Sequence, residues 1–297
     1  MTSALLFPGQ GSQYLGMGKN LYDQFEIAKK RFEAANEILG FSMTELMFGD
    51  DAQVLKRTDV TQPSIYLHSV ILFEIIRNQL SPSMVAGHSL GEFSAVAASG
   101  ALSFESGLKL VITRANAMQK ACEQNPGAMA AVIGLDIETV DTVCQETSGI
   151  VRAANYNSPG QIVITGETSA IENASEKLKS KGAKRVLPLP IGGAFHSPLM
   201  EEAKVELAEA IEKTTFSDPQ FPIYHNVSSK PSHSVNEIKS NLIEQLTSPV
   251  LWQQTIEHLG KLGVSVFYEV GPKNVLSNLN KRILPNSEVI HGESLLG

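Results

Sequence analysis

The apolar stretch Met84-Val85-Ala86 runs directly into Gly87-His88-Ser89-Leu90-Gly91, which opens onto Glu92-Phe-Ser-Ala-Val-Ala-Ala-Ser99, a run dominated by small residues. No other feature restricts the fold of this chain as strongly. A short apolar segment, a two-glycine turn and a small-residue helix read as strand, sharp turn, helix, the unit of an α/β fold with a parallel sheet. The glycines allow a tight, strained turn that lifts the Ser89 hydroxyl to the sheet edge over the helix N-terminus. G-x-S-x-G in this setting is the pattern of a serine nucleophile; an ordinary Gly-Ser turn is the bland alternative. The Leu90 backbone N–H would then face the oxygen of an attacked carbonyl, as half of an oxyanion hole.

The rest of the chain supports the same fold class. Ala4-Leu-Leu-Phe7 ends at Pro8-Gly9 and reads as a buried strand entering a turn. From Ser64 to Arg77 apolar residues nearly encircle a helix, which predicts burial on most sides. A second helix from Phe104 to Cys122 carries the stripe Phe104, Leu108, Val111, Ala115, Met118, Cys122. The rhythm then changes. Strands at 128–133, 150–156, 161–165 and 184–187 alternate with helices at 136–147 and 168–181 in the order β-α-β-β-α-β, the ferredoxin-like pattern of a compact unit with its own sheet. The expected organisation is a large α/β domain over 1–124 and 192–297, interrupted by a ferredoxin-like insertion at 125–191. An amphipathic helix at 199–213, a strand Pro222–Val227, helices at 236–246 and 252–262 and a strand Val264–Val270 complete the large domain.

Composition removes several classes of function. With 42% apolar and 19% charged residues among 297, the chain can bury a large core without staples. The net charge of −7 argues against a nucleic-acid binder. Cys122 and Cys144 form neither a metal-ligand spacing nor a disulfide framework, which suits a reducing compartment. No apolar stretch reaches the roughly 18 residues of a membrane span, and the first seven residues lack a signal core. The expectation is a cytoplasmic protein with no metal, nucleic acid or membrane partner.

A serine nucleophile needs a base, and seven histidines are available. His88 adjoins the nucleophile, so its side chain should diverge from the Ser89 hydroxyl. His196 leaves the insertion through Gly192-Gly193, and Ser197-Pro198 reads as N-cap and first residue of the next helix. The positive end of that helix would keep His196 neutral. His225, at the end of a strand, is the runner-up. A hydrolase triad would place an acid between Ser89 and the histidine. Asp136 and Asp141 lie on a helix of the insertion, the glutamates there have solvent-facing readings, and Glu92 is on the nucleophile's own helix. A Ser-His dyad follows, with some other acceptor on the second ring nitrogen. Pro8-Gly9-Gln10-Gly11-Ser12-Gln13 lacks the third glycine of a dinucleotide loop and any G-x-x-x-x-G-K. It reads as a structural turn or as a source of backbone amides near a bound acyl group. Arg114 lies at the edge of its helix stripe, either snorkelling to water or clamping a substrate carboxylate; periodicity does not choose.

Phe7-Pro-Gly-Gln-Gly-Ser-Gln13, Thr61-Gln-Pro63, Gly87-His-Ser-Leu-Gly-Glu92, Arg114, Asn155-Tyr-Asn-Ser-Pro-Gly-Gln161, Gly193-Ala-Phe-His196 and Tyr268-Glu-Val-Gly-Pro272 together resemble the malonyl-CoA:acyl carrier protein transacylases, acyltransferases of fatty-acid and polyketide synthesis. The resemblance spans essentially the whole chain. It implies an α/β-hydrolase-like core with a ferredoxin-like insertion, and transfer of malonyl from malonyl-CoA to the phosphopantetheine thiol of acyl carrier protein through an ester on Ser89. It further implies His196 as base and then acid, the backbone amides of Gln10 and Leu90 as the oxyanion hole, and Arg114 against the malonate carboxylate. Gln245 would orient His196 through its backbone carbonyl, Asn226 would line the same pocket, and Phe195 resembles the malonyl-selective form of its motif. No cofactor is implied beyond the coenzyme A thioester substrate, and a monomer is expected. A discrete polyketide acyltransferase, a serine hydrolase such as a thioesterase, and a non-catalytic carrier-binding module are the competing readings. Acyl carrier proteins are acidic, so docking on a chain of net charge −7 calls for a local basic patch, with Lys177, Lys179, Lys181, Lys184 and Arg185 as candidates.

Overall fold

The computed structural model describes residues 2–297, in two sheets. In chain order the strands are β1 (Ser3–Phe7), β2 (Met84–Gly87), β3 (Gly127–Ile133), β4 (Val151–Ser158), β5 (Gln161–Glu167), β6 (Arg185–Pro188), β7 (Ile223–Tyr224), β8 (Pro231–Ser232), β9 (Val266–Glu269) and β10 (Glu288–His291). The larger sheet runs β10-β9-β1-β2-β7-β8, parallel throughout except for the β7–β8 hairpin. Its centre explains the continuous apolar sequence of β1. Leu5 and Phe7 face one core, with the Thr58–Ile76 and Phe104–Gln124 helices, while Ala4 and Leu6 face a second, with the Trp252–Lys261 and Val275–Ile283 helices. A strand covered on both faces needs apolar residues at every position.

The smaller sheet has the order β4-β5-β3-β6, antiparallel at every pairing. With the Ile137–Gln145 and Thr168–Ser180 helices it forms the β-α-β-β-α-β arrangement of a ferredoxin-like sandwich. Along β3 the side chains alternate. Ala130 and Val132 pack with Val140, Ile164 and Leu178 under those helices, while Met129 joins the core of the larger sheet. Outside its connecting segments, the smaller sheet is tied to the rest by a short backbone ladder between Ala154–Tyr156 and Val250. Among the described residues no helix is long and apolar enough to cross a membrane.

Several local features differ from the sequence expectations. The helix expected from Ser64 begins at Thr58, so Pro63 lies inside it; every residue from Thr58 to Leu72 except Asp59 is buried, and that packing outweighs one missing backbone donor. The strand expected over Pro222–Val227 pairs only at Ile223–Tyr224, because His225 and Asn226 turn their side chains into a buried network. Helices Lys19–Gln24, Glu26–Leu39 and Met43–Phe48 fill a stretch to which the sequence assigned no element.

Candidate active site

The strands that bear on chemistry end side by side, with Phe7 opposite Gly87 and Ala86 opposite Tyr224. The turn after β2 fits only because its glycines carry no side chain. A Cβ on Gly91 would collide with the Phe7 carbonyl oxygen, and one on Gly87 with the Gly91 carbonyl. A Cβ on Gly9 would likewise collide with the His88 carbonyl oxygen, so the loop after β1 lies against the turn, and Gln10 lines the same cavity as Leu90. Ser89 sits in the left-handed region at φ 51°, a conformation that costs roughly 1–3 kcal/mol and persists only when neighbours hold it. Asn226 supplies that hold: the Ser89 N–H donates to its Oδ1 at 2.7 Å, and its Nδ2 donates to the Gly87 carbonyl at 2.6 Å.

The Ser89 Oγ lies 2.9 Å from His196 Nε2, and His196 Nδ1 lies 2.9 Å from the Gln245 backbone oxygen. A carbonyl oxygen only accepts, so Nδ1 carries the proton and donates it. Nε2 is then the acceptor facing the serine hydroxyl. His196 is 3% exposed, and burial together with the Arg114 charge lowers its pKa to about 3. The ring is thus neutral, by desolvation and a neighbouring cation rather than by a helix terminus. His196 is itself in the left-handed region at φ 60°, and Ser197 caps the short helical turn Pro198–Met200. His225, the runner-up base, is engaged elsewhere: its Nδ1 lies 2.6 Å from Glu92 Oε1.

Arg114 is 1% exposed, which excludes a snorkelling role. Its Nη1 donates to Gln62 Oε1 at 2.6 Å, and its Nη2 donates to Gln245 Oε1 at 3.0 Å and to Ser89 Oγ at 3.1 Å. The guanidinium lies over the Phe93 ring at 5.6 Å. Burial lowers its pKa to about 10, against the opposing pull of Glu92. None of its hydrogen-bond partners is a carboxylate, and its Nε is buried without an acceptor among the described residues.

These groups meet at a cavity of about 220 Å³ between the two sheets. Gln10, Ser89, Leu90, Arg114, Phe195 and His196 line it on one side, and Met129, Ala131, Asn155, Asn157, Gln161 and Val163 of the smaller sheet on the other. The backbone amides of Gln10 and Leu90 have no backbone acceptor among the described residues. Asn226, expected in the pocket wall, lies behind the turn instead, and Gln245 touches the site through its backbone oxygen and its amide. Lys177, Lys179, Lys181, Lys184 and Arg185 are exposed on the smaller unit, and none lines the cavity.

Two participants escaped the sequence reading. Glu92 is fully buried and accepts from His225, the Asn226 backbone and Gln245 Nε2. Its position three residues after Ser89, in the first helical turn, was the available signal. His88 diverges from the serine as expected, but nothing in the sequence signalled that its Nε2 donates to Asn157 Oδ1 at 2.8 Å, linking the turn to β4. Among the described residues no group of three or more His, Cys, Asp and Glu could hold a metal ion.

Residues 4–297 match the acyl transferase domain family. Over 284 residues, 94% of this chain and 90% of the relative, the chain is 43% identical to the malonyl CoA-acyl carrier protein transacylase of Bacillus subtilis. The transacylase of the same name from Coxiella burnetii superposes with a TM-score of 0.96 at 37% identity, covering 100% of this chain and 96% of that one. A malonyl-transacylase solved in complex with a type II PKS acyl-carrier protein superposes with a TM-score of 0.95 at 39% identity, covering 98% and 96%.

Proposed function

The chain belongs to the acyl transferase family, and from that premise we propose that it transfers malonyl from malonyl-CoA to the phosphopantetheine thiol of acyl carrier protein, supplying malonyl-acyl carrier protein for fatty-acid synthesis. The observation that carries the reading is the Ser89–His196 contact with a buried arginine at hydrogen-bond distance from the same hydroxyl. His196 Nε2 takes the Ser89 proton as Oγ attacks the thioester carbonyl. Negative charge develops on that carbonyl oxygen, where the amides of Gln10 and Leu90 stabilise it. His196 returns the proton to the coenzyme A thiolate, leaving malonyl as an ester on Ser89. The carrier thiol then repeats the sequence in reverse, so both half-reactions share one oxyanion hole and ping-pong kinetics follow.

Arg114 receives the malonate carboxylate, and Phe195 closes the pocket beside it. Acetyl would leave the guanidinium unpaired, a stronger discrimination than a methyl-sized difference in pocket volume supplies. Gln245 holds the His196 tautomer through its backbone oxygen, and Asn226 holds the Ser89 turn. The chemistry is complete with these groups, so no resident cofactor is required beyond the thioester substrate. Free cysteines at 122 and 144 suit a cytoplasmic site of action.

Intact-protein mass spectrometry after mixing with malonyl-CoA tests the reading. The expected result is an adduct of one malonyl group on Ser89, discharged by holo acyl carrier protein and absent in Ser89→Ala. Rapid release of free malonate with no benefit from the carrier would instead indicate a hydrolase, and no adduct at all a binding module.

A further inference from the structure

Arg114 is buried, yet no salt bridge holds it among the described residues. Buried guanidinium groups are ordinarily paired with a carboxylate, because desolvating an uncompensated charge is costly. Here the acceptors are two glutamine oxygens and the nucleophile's hydroxyl. A carboxylate does stand close by, one side chain removed: Glu92 Oε2 accepts from Gln245 Nε2 at 2.7 Å, and the oxygen of that same amide accepts from Arg114 Nη2 at 3.0 Å.

The chain of contacts has only one sense. Gln245 Nε2 faces three oxygens, on Glu92 at 2.7 Å, Ser89 at 3.0 Å and Asn226 at 3.3 Å. A flipped amide would set its oxygen against all three and its NH2 against the guanidinium, so the acidic side chain polarises the amide toward Arg114. We propose that Glu92 is a positioning residue that acts at one remove: relayed through the Gln245 amide, it supplies the counter-charge that lets Arg114 be buried, while leaving the guanidinium unpaired for the carboxylate of the acyl group. A glutamate in direct contact with Arg114 would give the same net charge but would occupy the clamp. This rests on the malonyl reading given above.

Exchanging the two side chains tests it. The double variant Glu92→Gln with Gln245→Glu keeps composition and charge but moves the carboxylate onto Arg114. Initial rates of coenzyme A release with malonyl-CoA and with acetyl-CoA give kcat/KM for each. The malonyl-to-acetyl ratio is expected to fall by roughly tenfold or more, the cost of breaking a charge-assisted pair before malonate can bind. An unchanged ratio in the folded double variant would overturn the proposal. Glu92→Gln alone provides a second arm if the exchange does not fold. It is expected to lower the melting temperature, since Arg114 loses its counter-charge, while the ratio stays the same or rises. A falling ratio in that single variant, or an unaltered melting temperature, counts against the relay. Wild-type enzyme that prefers acetyl-CoA would remove the malonyl reading itself, an outcome distinct from any variant result.

Discussion

The wall of the cavity built on the larger sheet carries Arg114 and His196, both buried and hydrogen-bonded, whereas the wall built on the smaller sheet carries Met129, Ala131, Val163 and the neutral amides of Asn155, Asn157 and Gln161. The contrast follows from the two kinds of sheet. Parallel strands end in loops and helix starts whose free backbone groups can satisfy buried polar side chains, as Gly87, Ser89 and Gln245 do here. An antiparallel sheet presents side chains at a period of two, so a strand packed on both faces offers shape rather than charge. On the proposed reading, a neutral wall would also not compete with the acyl carboxylate for Arg114.

The largest effect expected from breaking this division is Arg114→Ala. Malonyl loading of Ser89 should drop by at least roughly 10²-fold while acetyl loading holds or rises, measured as kcat/KM for each thioester. Persisting malonyl preference would mean that selection resides in the neutral wall.

A second measurement addresses the charge coupling within the polar wall. The His196 pKa of about 3 implies that kcat/KM for malonyl loading stays flat from pH 8 down to about pH 5 instead of declining near the ordinary histidine value of 6.5. In Arg114→Ala, followed with acetyl-CoA, the acid limb should move up in pH, because the largest charge effect lowering this pKa is gone while burial remains. A decline centred near 6.5 in the wild type would contradict a neutral buried base. Linkage has a matching sign: a histidine whose folded pKa lies below its unfolded value contributes full stability above pH 6.5 and progressively less as pH falls toward 3.

The smallest effect should come from the neutral wall. Asn157→Ala removes the acceptor of His88 Nε2 and is expected to lower malonyl kcat/KM by less than roughly tenfold, with the malonyl-to-acetyl ratio unchanged. A shifted ratio would show that the smaller sheet takes part in selection.

Legibility divides along similar lines. The elbow at Ser89 was readable because its signal is local: apolar strand, two glycines, small-residue helix. The smaller unit was readable because each of its elements carries its own period, two for the strands and 3.6 for the helices. The helix at Glu26–Leu39 left a weaker mark, with only Ala28, Phe32 and Ala35 buried along fourteen residues. The Val275–Ile283 helix and edge strand β10, short and partly exposed, went unassigned. Arg114 stayed ambiguous because helical period gives the direction of a side chain and not what covers it. Glu92 was set aside because it lies on the nucleophile's own helix, whereas in the fold it is covered by His225, Asn226 and Gln245, at separations of 133 to 153 residues.

By itself the sequence determined the class of fold, the strained turn and the serine upon it, because these depend on residues within a few positions of one another. The family resemblance anticipated the backbone carbonyl of Gln245, 49 residues away, as the partner of His196; tertiary structure alone decided that Arg114 is buried without a carboxylate against it. It alone decided, too, that the nearest counter-charge sits one amide behind. Protonation and pairing of buried groups depend on what surrounds them in three dimensions, and desolvation is a property of the packed whole that no spacing along the chain encodes.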